Sequence, residues 1–222
     1  MRILLINTAG AEGSAALADT DLAPAIVATE VMPGRTSSER LIPTVRRLIG
    51  ERGWTLKELA AVVVVHGPGS FTGVRVGLSA AKGLSEAAGV PLIAVSRLAL
   101  LADCLDGENG PIHAVLDAGR GEFYLGEYVG RRCLREGLMG VEDVRAAIAG
   151  AAVVVCEANV AEALAGLGAR VVDEPSAGDA LPVALRRVAA GDFDDAALLE
   201  ANYLRRTDLE IFAKPAVGRA VR

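Results

Sequence analysis

A glycine-rich loop between a predicted strand and a predicted helix constrains this chain more than any other feature. The loop reads Gly-Pro-Gly-Ser-Phe-Thr-Gly from Gly67 to Gly73. Four consecutive valines in Ala61–Val65 are typical of a central parallel strand, and the alanine-rich run Val74–Ala88 predicts a helix. Glycines allow sharp turns and close backbone approach, while a helix N-terminus offers unpaired N–H groups to an anion. The pattern predicts an α/β fold, with either a tightly packed turn or an anion site at the loop.

Two familiar nucleotide-binding motifs do not fit this loop. A Walker A loop needs Gly-Lys-Ser/Thr, but Gly73 is followed by Val74 and Arg75. A dinucleotide-binding fold needs an acidic residue near the end of the next strand, and Pro91–Val95 is followed by serine and arginine. The loop therefore favours neither a P-loop ATPase nor a nucleotide-dependent oxidoreductase.

A strand, a turn of small residues and a second strand occur twice, at Ile3–Asp19 and at Ile112–Tyr128. This repeat predicts two lobes of one architecture, each with a mixed sheet flanked by helices. We expect an N-terminal lobe over 1–106, joined by part of the C-terminal tail, and a C-terminal lobe over 107–222. Gly107–Pro111 has the composition of a linker. Helices are also expected to begin at Glu39 or Arg40 and to cover Phe193–Leu199.

Composition excludes several classes of protein. The 222 residues are 52% hydrophobic and 23% charged, which excludes a disordered chain. A net charge of −5 and an aromatic content of 4% argue against direct binding of nucleic acid. The sequence contains no uncharged apolar run of about 18 residues, so no membrane span is predicted. Three widely spaced cysteines without a CxxC pair indicate reduced thiols, so we expect a cytoplasmic protein.

Several segments resemble one known family. His66–Leu84 closely resembles the hallmark segment of the TsaB (YeaZ) family, the glycoprotease-like branch of the actin-like, sugar-kinase-like superfold, which shares a ribonuclease-H-like architecture. Ile3–Thr8 is similar to the family's opening strand and first phosphate turn, and Ser37–Leu41 to the start of its first long helix. Asp117–Tyr124 and Tyr203–Arg205 resemble later family segments. The resemblance covers nearly the whole chain.

The resemblance implies a role in making threonylcarbamoyladenosine beside the tRNA anticodon. In that family TsaD carries the catalysis, TsaB pairs with TsaD, and the P-loop ATPase TsaE joins the assembly. The implied function is a non-catalytic subunit that binds TsaD and reaches tRNA only through the complex. The same implication predicts a homodimer when TsaD is absent.

The residues themselves offer little chemistry of their own. Catalytic relatives hold a metal with a His-xxx-His pair on the first long helix, but Ser37–Arg47 contains no histidine. We therefore predict no catalytic residue, no metal and no cofactor. Kinases of this fold carry an acidic residue at the position of Asn7, and Ser70 does not lie in a GxSxG motif. A standalone kinase-like or protease-like enzyme of the same superfold stays open as the alternative.

Two sets of candidate functional residues follow. Small and apolar side chains on the two N-terminal helices predict a surface for helices of TsaD: Leu41, Val45, Leu48, Val76, Ala80, Gly83, Leu84 and Ala87. Vestigial nucleotide or phosphate contacts are expected at the loop and at the two strand ends: Asn7, Thr8, Gly67, Gly69, Ser70, Thr72, Gly73, Asp117 and Arg120. The turn at Asp117–Tyr124 is either a hairpin with an internal ion pair or a remnant nucleotide or partner contact.

Overall fold

The computed structural model describes residues 1–34, 36–105, 107 and 110–204. The expected linker lies partly outside these residues, because 108 and 109 are not described. The tail after Leu204, including Arg205 of the family-like Tyr203–Arg205 segment, lies wholly outside them.

Two five-stranded sheets of identical topology form the framework. The first has the order β3-β2-β1-β4-β5 and the second β10-β9-β6-β7-β8. In each, the first three strands pair antiparallel, and two later strands add in parallel on the other side of the first. The strands are β1 Arg2–Asn7, β2 Gly13–Asp19, β3 Ile26–Met32, β4 Leu59–Val65, β5 Leu92–Val95, β6 Pro111–Gly119, β7 Glu122–Val129, β8 Arg132–Gly140, β9 Ala152–Val155 and β10 Arg170–Val171.

Helices cover both faces of each sheet, which confirms the predicted two-lobed α/β class. They are α1 Ser37–Glu51, α2 Phe71–Ala88, α3 Arg97–Asp103, α4 Val141–Ala147, α5 Ala158–Ala163 and α6 Leu181–Ala190. Short 3-10 turns occupy Leu56–Glu58 and Ala177–Ala180. No helix in the described ranges is long and apolar enough to span a membrane.

The two lobes exchange helices. Helices α1 and α2 pack on one face of the first sheet, while α6, which follows the second sheet along the chain, packs on the other. Helices α4 and α5 cover one face of the second sheet, and α3, which follows the first sheet, buries Leu98 and Leu101 on its other face. The first sheet therefore obtains part of its core from a helix that follows the whole second sheet in the sequence, and the second sheet from the helix that connects the two sheets.

Four elements differ from the predictions. Helix α1 begins at Ser37, before the predicted Glu39 or Arg40. Helix α3 and strand β8 were not predicted. The helix predicted over Phe193–Leu199 is wrong, because Asp194 bridges to Leu92 and the Asp195 Oδ1 accepts the Ala197 N–H. Such local side-chain bonds compete with a helix.

Candidate functional site

The glycine-rich loop packs its backbone directly on the turn that follows β1. A Cβ atom at Gly69 would lie 2.1 Å from the Ala9 carbonyl oxygen, and one at Gly73 would lie 2.0 Å from the Thr8 carbonyl oxygen. The Ser70 N–H donates to the Ala9 oxygen at 2.8 Å, and the Thr8 hydroxyl donates to the Gly73 oxygen at 2.7 Å. This close approach explains why these positions are glycine.

The polar groups of Asn7, at the end of β1, form hydrogen bonds with other groups of the same chain. Asn7 is buried, and its Nδ2 donates to the Pro175 carbonyl at 2.8 Å while its Oδ1 accepts the Ala9 N–H at 3.0 Å. The Gly67 carbonyl accepts the Arg97 N–H at 2.8 Å. Asn7 therefore joins the first strand to the segment after β10 and shapes the turn beside it.

A buried arginine occupies the crevice where the carboxyl ends of the parallel strands of both sheets meet. The Arg97 side chain is only 3% exposed, and its Nη2 lies 2.7 Å from Glu174 Oε1 and 3.2 Å from Glu157 Oε1. Its Nε is buried without a hydrogen-bond partner. Glu174 Oε1 also accepts the Ala11 N–H at 3.1 Å, so this carboxylate touches the turn after β1. The three side chains link β5, β9 and the segment after β10.

A second polar junction lies one residue away, at Ser96. The Glu136 carboxylate accepts hydrogen bonds from the Ser96 hydroxyl at 2.5 Å, from Asn202 Nδ2 at 2.6 Å and from the Tyr128 hydroxyl. Burial, and then the neighbouring Glu136 charge, raise the pKa of Tyr128 far above its ordinary value. Because Ser96 and Tyr128 both donate to the Glu136 carboxylate, the turn between β5 and α3 is connected to strands β7 and β8 of the second sheet.

The second sheet places Asp117 at the corresponding strand end. Asp117 Oδ1 accepts the Gly119 N–H at 2.7 Å, Oδ2 accepts Asn159 Nδ2 at 2.9 Å, and its own N–H donates to Glu157 Oε2 at 2.5 Å. Arg120 is exposed at the tip of the hairpin with a φ of 60°. The Asp117 carboxylate therefore shapes the hairpin and holds α5.

Four residues of these junctions were not predicted from the sequence: Arg97, Glu157, Glu174 and Glu136. Arg97 and Glu157 lie shortly after the buried strands β5 and β9, whereas Glu174 follows the short, exposed strand β10. The carboxyl edge of parallel strands is a usual ligand-binding position. A charged residue just after a buried strand could have identified Arg97 and Glu157, but no such signal marks Glu174 or Glu136.

Among the residues that the structure describes, no contact of Ser70 resembles a hydrolase site. The Ser70 hydroxyl accepts the Gly73 N–H at 3.2 Å and so caps α2. His66 Nδ1 lies 3.2 Å from the Glu200 carbonyl oxygen, and the buried His113 lies in the second sheet with its Nε2 4.0 Å from Glu127. Over residues 1–34, 36–105, 107 and 110–204, no group of three His, Cys, Asp or Glu side chains is arranged to hold a metal ion.

A surface cleft of about 440 Å³ lies between the N-terminal ends of α1 and α2. Its walls include Thr8, Ser37, Thr72 and Gly73. Phe71 lies at its rim, where the Arg75 guanidinium stacks 3.7 Å from the ring centroid. Gly10 and Ala11 also line this cleft, and the Ala11 N–H donates to Glu174, which pairs with Arg97.

The predicted partner surface divides into core and exposed positions. Leu41, Val45 and Leu48 are at most 3% exposed and pack against the first sheet, so they are core residues that cannot contact a partner in the folded chain. Val76, Ala80 and Leu84 are half-buried, whereas Gly83 and Ala87 are exposed. The α1 side of this face is instead formed by residues such as Ile42, which is 50% exposed.

A family model for TsaD, described as tRNA N6-adenosine threonylcarbamoyltransferase, matches residues 30–146, which is more than half of the chain. The chain belongs to the TsaD family. The chain is also similar to several TsaB proteins. It is 38% identical to the tRNA threonylcarbamoyladenosine biosynthesis protein TsaB of Escherichia coli over 130 residues, 58% of this chain and 55% of that protein. It is 34% identical to TsaB of Bacillus subtilis over 144 residues, 65% of this chain and 62% of that protein.

The matches thus span somewhat more than half the length of these curated relatives. A solved structure of YeaZ from Pseudomonas aeruginosa gives a TM-score of 0.75 at 28% identity, with 91% of this chain and 99% of that chain covered. Another, described as similar to the peptidase YeaZ, gives 0.76 at 29% identity, with 92% and 99% covered. The resemblance to TsaB (YeaZ) and the two-lobed actin-like fold are therefore confirmed.

Proposed function

We propose that this chain is a non-catalytic subunit of the machinery that makes threonylcarbamoyladenosine in tRNA, and that it binds TsaD through the outer face of α1 and α2. The observation that carries this proposal is the exposed small-residue surface of α2 at Gly83 and Ala87. TsaE joins the same assembly, and tRNA is reached through the complex in the cytoplasm. Without TsaD, the same face supports a symmetric homodimer.

The outer face of α2 suits close packing by another helix. Nothing lies within 4 Å of a Cβ built at Gly83, and Ala80 and Ala87 lie one turn away on either side. Small side chains let a second helix approach closely, and the half-buried Leu84 adds apolar area beside them.

The outer face of α1 adds a shallow apolar groove next to this surface. The groove has a volume of about 460 Å³ and is lined by Ile42, Pro43 and Gly50, with Arg46 and Arg47 at its edge. Arg47 pairs with Glu30 and Glu51, whereas Ile42 projects into solvent. An exposed apolar side chain surrounded by charged groups is typical of the centre and rim of a protein interface.

Asn7 and Ser70 occupy the positions where a kinase or a serine hydrolase would need a reactive group, and their contacts support the absence of independent catalysis. Both ends of the Asn7 amide are held within the chain, and the Ser70 hydroxyl caps α2. A standalone kinase needs an acidic group near the first position, and a serine hydrolase needs a general base near the second. No contact among the described residues favours that alternative.

Co-purification with TsaD, with one exposed glycine replaced, tests the proposal. Gly83→Arg places a long charged side chain on the docking face without a clash in the monomer, so we expect TsaD binding to weaken at least tenfold. Gly137→Arg on β8 is the matched control, because nothing lies within 4 Å of that Cβ either and the site is in the other lobe. Unchanged TsaD affinity of Gly83→Arg would contradict the docking face. ATP turnover or peptide cleavage by the isolated chain, lost on Ser70→Ala, would favour the alternative.

A further inference from the structure

An arginine on the exposed side of α2 is held in one orientation by two aromatic side chains. The Arg75 Cζ lies 3.7 Å from the centroid of the Phe71 ring and 5.6 Å from that of the Tyr203 ring. Its Nε donates to the Tyr203 hydroxyl at 2.6 Å. A guanidinium within about 6 Å of a ring centroid is attracted to the ring. The Arg75 side chain is exposed, but the stacking and the hydrogen bond together restrict its rotamer.

The C-terminal segment that carries Tyr203 is fixed by both lobes. The Asn202 N–H donates to the His66 carbonyl at 2.8 Å, and Asn202 Nδ2 donates to Glu136 Oε2 at 2.6 Å. Since His66 directly follows β4 of the first sheet and Glu136 lies in β8 of the second, Asn202 is held from two sides. Its neighbour Tyr203 therefore has a defined position beside Arg75, although 48% of Tyr203 is exposed.

The orientation of Arg75 leaves the outer end of its guanidinium without an anion. Tyr203 uses the Nε, whereas Nη1 and Nη2 keep their N–H donors. In the part of the chain that the structure describes, no carboxylate pairs with Arg75, whereas Arg47 on α1 has two carboxylate partners. Two parallel N–H groups at the end of a guanidinium match the two oxygens of a carboxylate. The chemistry that fits this end of Arg75 is therefore an acidic side chain.

Arg75 also adjoins the proposed docking face on α2. Arg75, Ser79 and Gly83 follow at intervals of four residues and are all exposed, so they are neighbours along the outer side of the helix. At a rise of about 1.5 Å per residue, Arg75 lies about 12 Å along the axis from Gly83. A partner that packs at Gly83 can therefore reach Arg75 within one interface of ordinary size.

We propose that Arg75 binds a carboxylate side chain of TsaD and that Tyr203 is the residue that positions it. This inference rests on the proposed function. An arginine that is oriented in advance loses less conformational freedom on binding than a flexible one. Arg46 and Lys82 also lie near the docking face, but neither stacks on a ring within the described ranges. The net charge of −5 favours an acidic protein side chain over a nucleic-acid phosphate as the group that Arg75 meets.

Titration calorimetry of the full chain with TsaD tests the proposal. Arg75→Gln keeps a side chain that can lie on Phe71 but removes the charge, so it should weaken TsaD binding at least tenfold. Arg75→Glu should weaken it further, because two carboxylates then meet. The affinity of Arg75→Gln should also depend less on salt than that of the wild type. Arg132→Gln, at an exposed position of β8 in the other lobe, is the control and should bind like the wild type.

Tyr203→Phe separates positioning from packing, because it keeps the ring and removes only the hydroxyl that accepts the Nε bond. It should weaken TsaD binding about threefold in the wild-type background and have no effect in the Arg75→Gln background. An equal effect in both backgrounds would show that Tyr203 does not act through Arg75, which overturns its role.

Wild-type affinity of Arg75→Gln for TsaD overturns the proposal. It does so equally if the variant instead loses homodimer formation or if its complex binds tRNA more weakly, because the anion would then belong to a second copy or to the nucleic acid. If Gly83→Arg weakens TsaD binding and Arg75→Gln does not, the docking face stands and only this inference is wrong. If the wild-type chain does not bind TsaD, the proposed function fails and this inference fails with it.

Discussion

Gly73 and Gly83 lie in the same helix, yet replacing each with alanine should change stability in opposite directions. At Gly73 the new Cβ would lie 2.0 Å from the Thr8 carbonyl oxygen, whereas ordinary contact begins at 3.4 Å, so the backbones must separate by 3.4 − 2.0 = 1.4 Å. Overpacking of this kind costs about 1–3 kcal/mol, and the bond between the Thr8 hydroxyl and the Gly73 oxygen is worth about 1 kcal/mol. The higher helix propensity of alanine relative to glycine offsets up to about 1 kcal/mol of this loss. The expected net loss is about 2 kcal/mol.

At Gly83 nothing lies within 4 Å of the new Cβ, so only the propensity term acts. Gly83→Ala should stabilise the monomer by about 0.5–1 kcal/mol. Urea denaturation of both variants and the wild type, at protein concentrations where the chain is monomeric, measures the two free energies of unfolding. Gly73→Ala as stable as the wild type would refute the close approach of loop and turn. A destabilising Gly83→Ala would refute the exposed position of Gly83.

Three further substitutions test the polar groups. Arg97→Met should cost about 3 kcal/mol in thermal unfolding, because Glu157 and Glu174 then face each other without a cation, and a loss below about 1 kcal/mol would contradict their pairing. Burial lowers the pKa of His113 below 6.5, so the unfolded chain binds more protons and stability falls as the pH drops below 6.5, by at most about 1.4 kcal/mol per pH unit. His113→Gln should flatten this slope below pH 6.5, and an equal slope would exclude His113 as its source. Ser70→Ala should cost about 1 kcal/mol through the lost cap of α2 and leave tRNA threonylcarbamoylation unchanged in complementation; lost modification in a folded variant would show a chemical role.

The sequence predicted those elements whose pattern of apolar residues lies within one continuous segment. The first three strands and the strand, loop and helix around Gly67–Gly73 carry their own periodicity, and the repeated strand pair indicated the second sheet. Strand β8 escaped prediction because Arg132–Gly140 shows no regular alternation of apolar and polar residues and owes its structure to pairing with β7. The segment Phe193–Leu199 has helical spacing, but Asp194 is held instead by the Ala94 N–H and Arg187.

The position of the candidate site could be predicted from the sequence, but the charged residues that meet there could not. The glycine loop and the strand end at Asn7 were identified from the sequence, yet the buried cation that faces them comes from Arg97 and its anions from residues 60 or more positions away. Periodicity within one segment carries no information on such distant pairs. The partner surface failed at Leu41, Val45 and Leu48 for a related reason, because an apolar helix stripe does not show whether it faces the sheet or another protein.

The exchange of α3 and α6 between the sheets has a consequence for how the chain unfolds. A fragment ending near residue 106 would keep the first sheet but lose Leu181 and Ala184 from one of its faces, and would leave Leu98 and Leu101 without the sheet they pack on. Neither half is self-sufficient, so calorimetry should record one cooperative transition instead of two separable ones. A chain cut at that point therefore leaves both sheets with an uncovered apolar face.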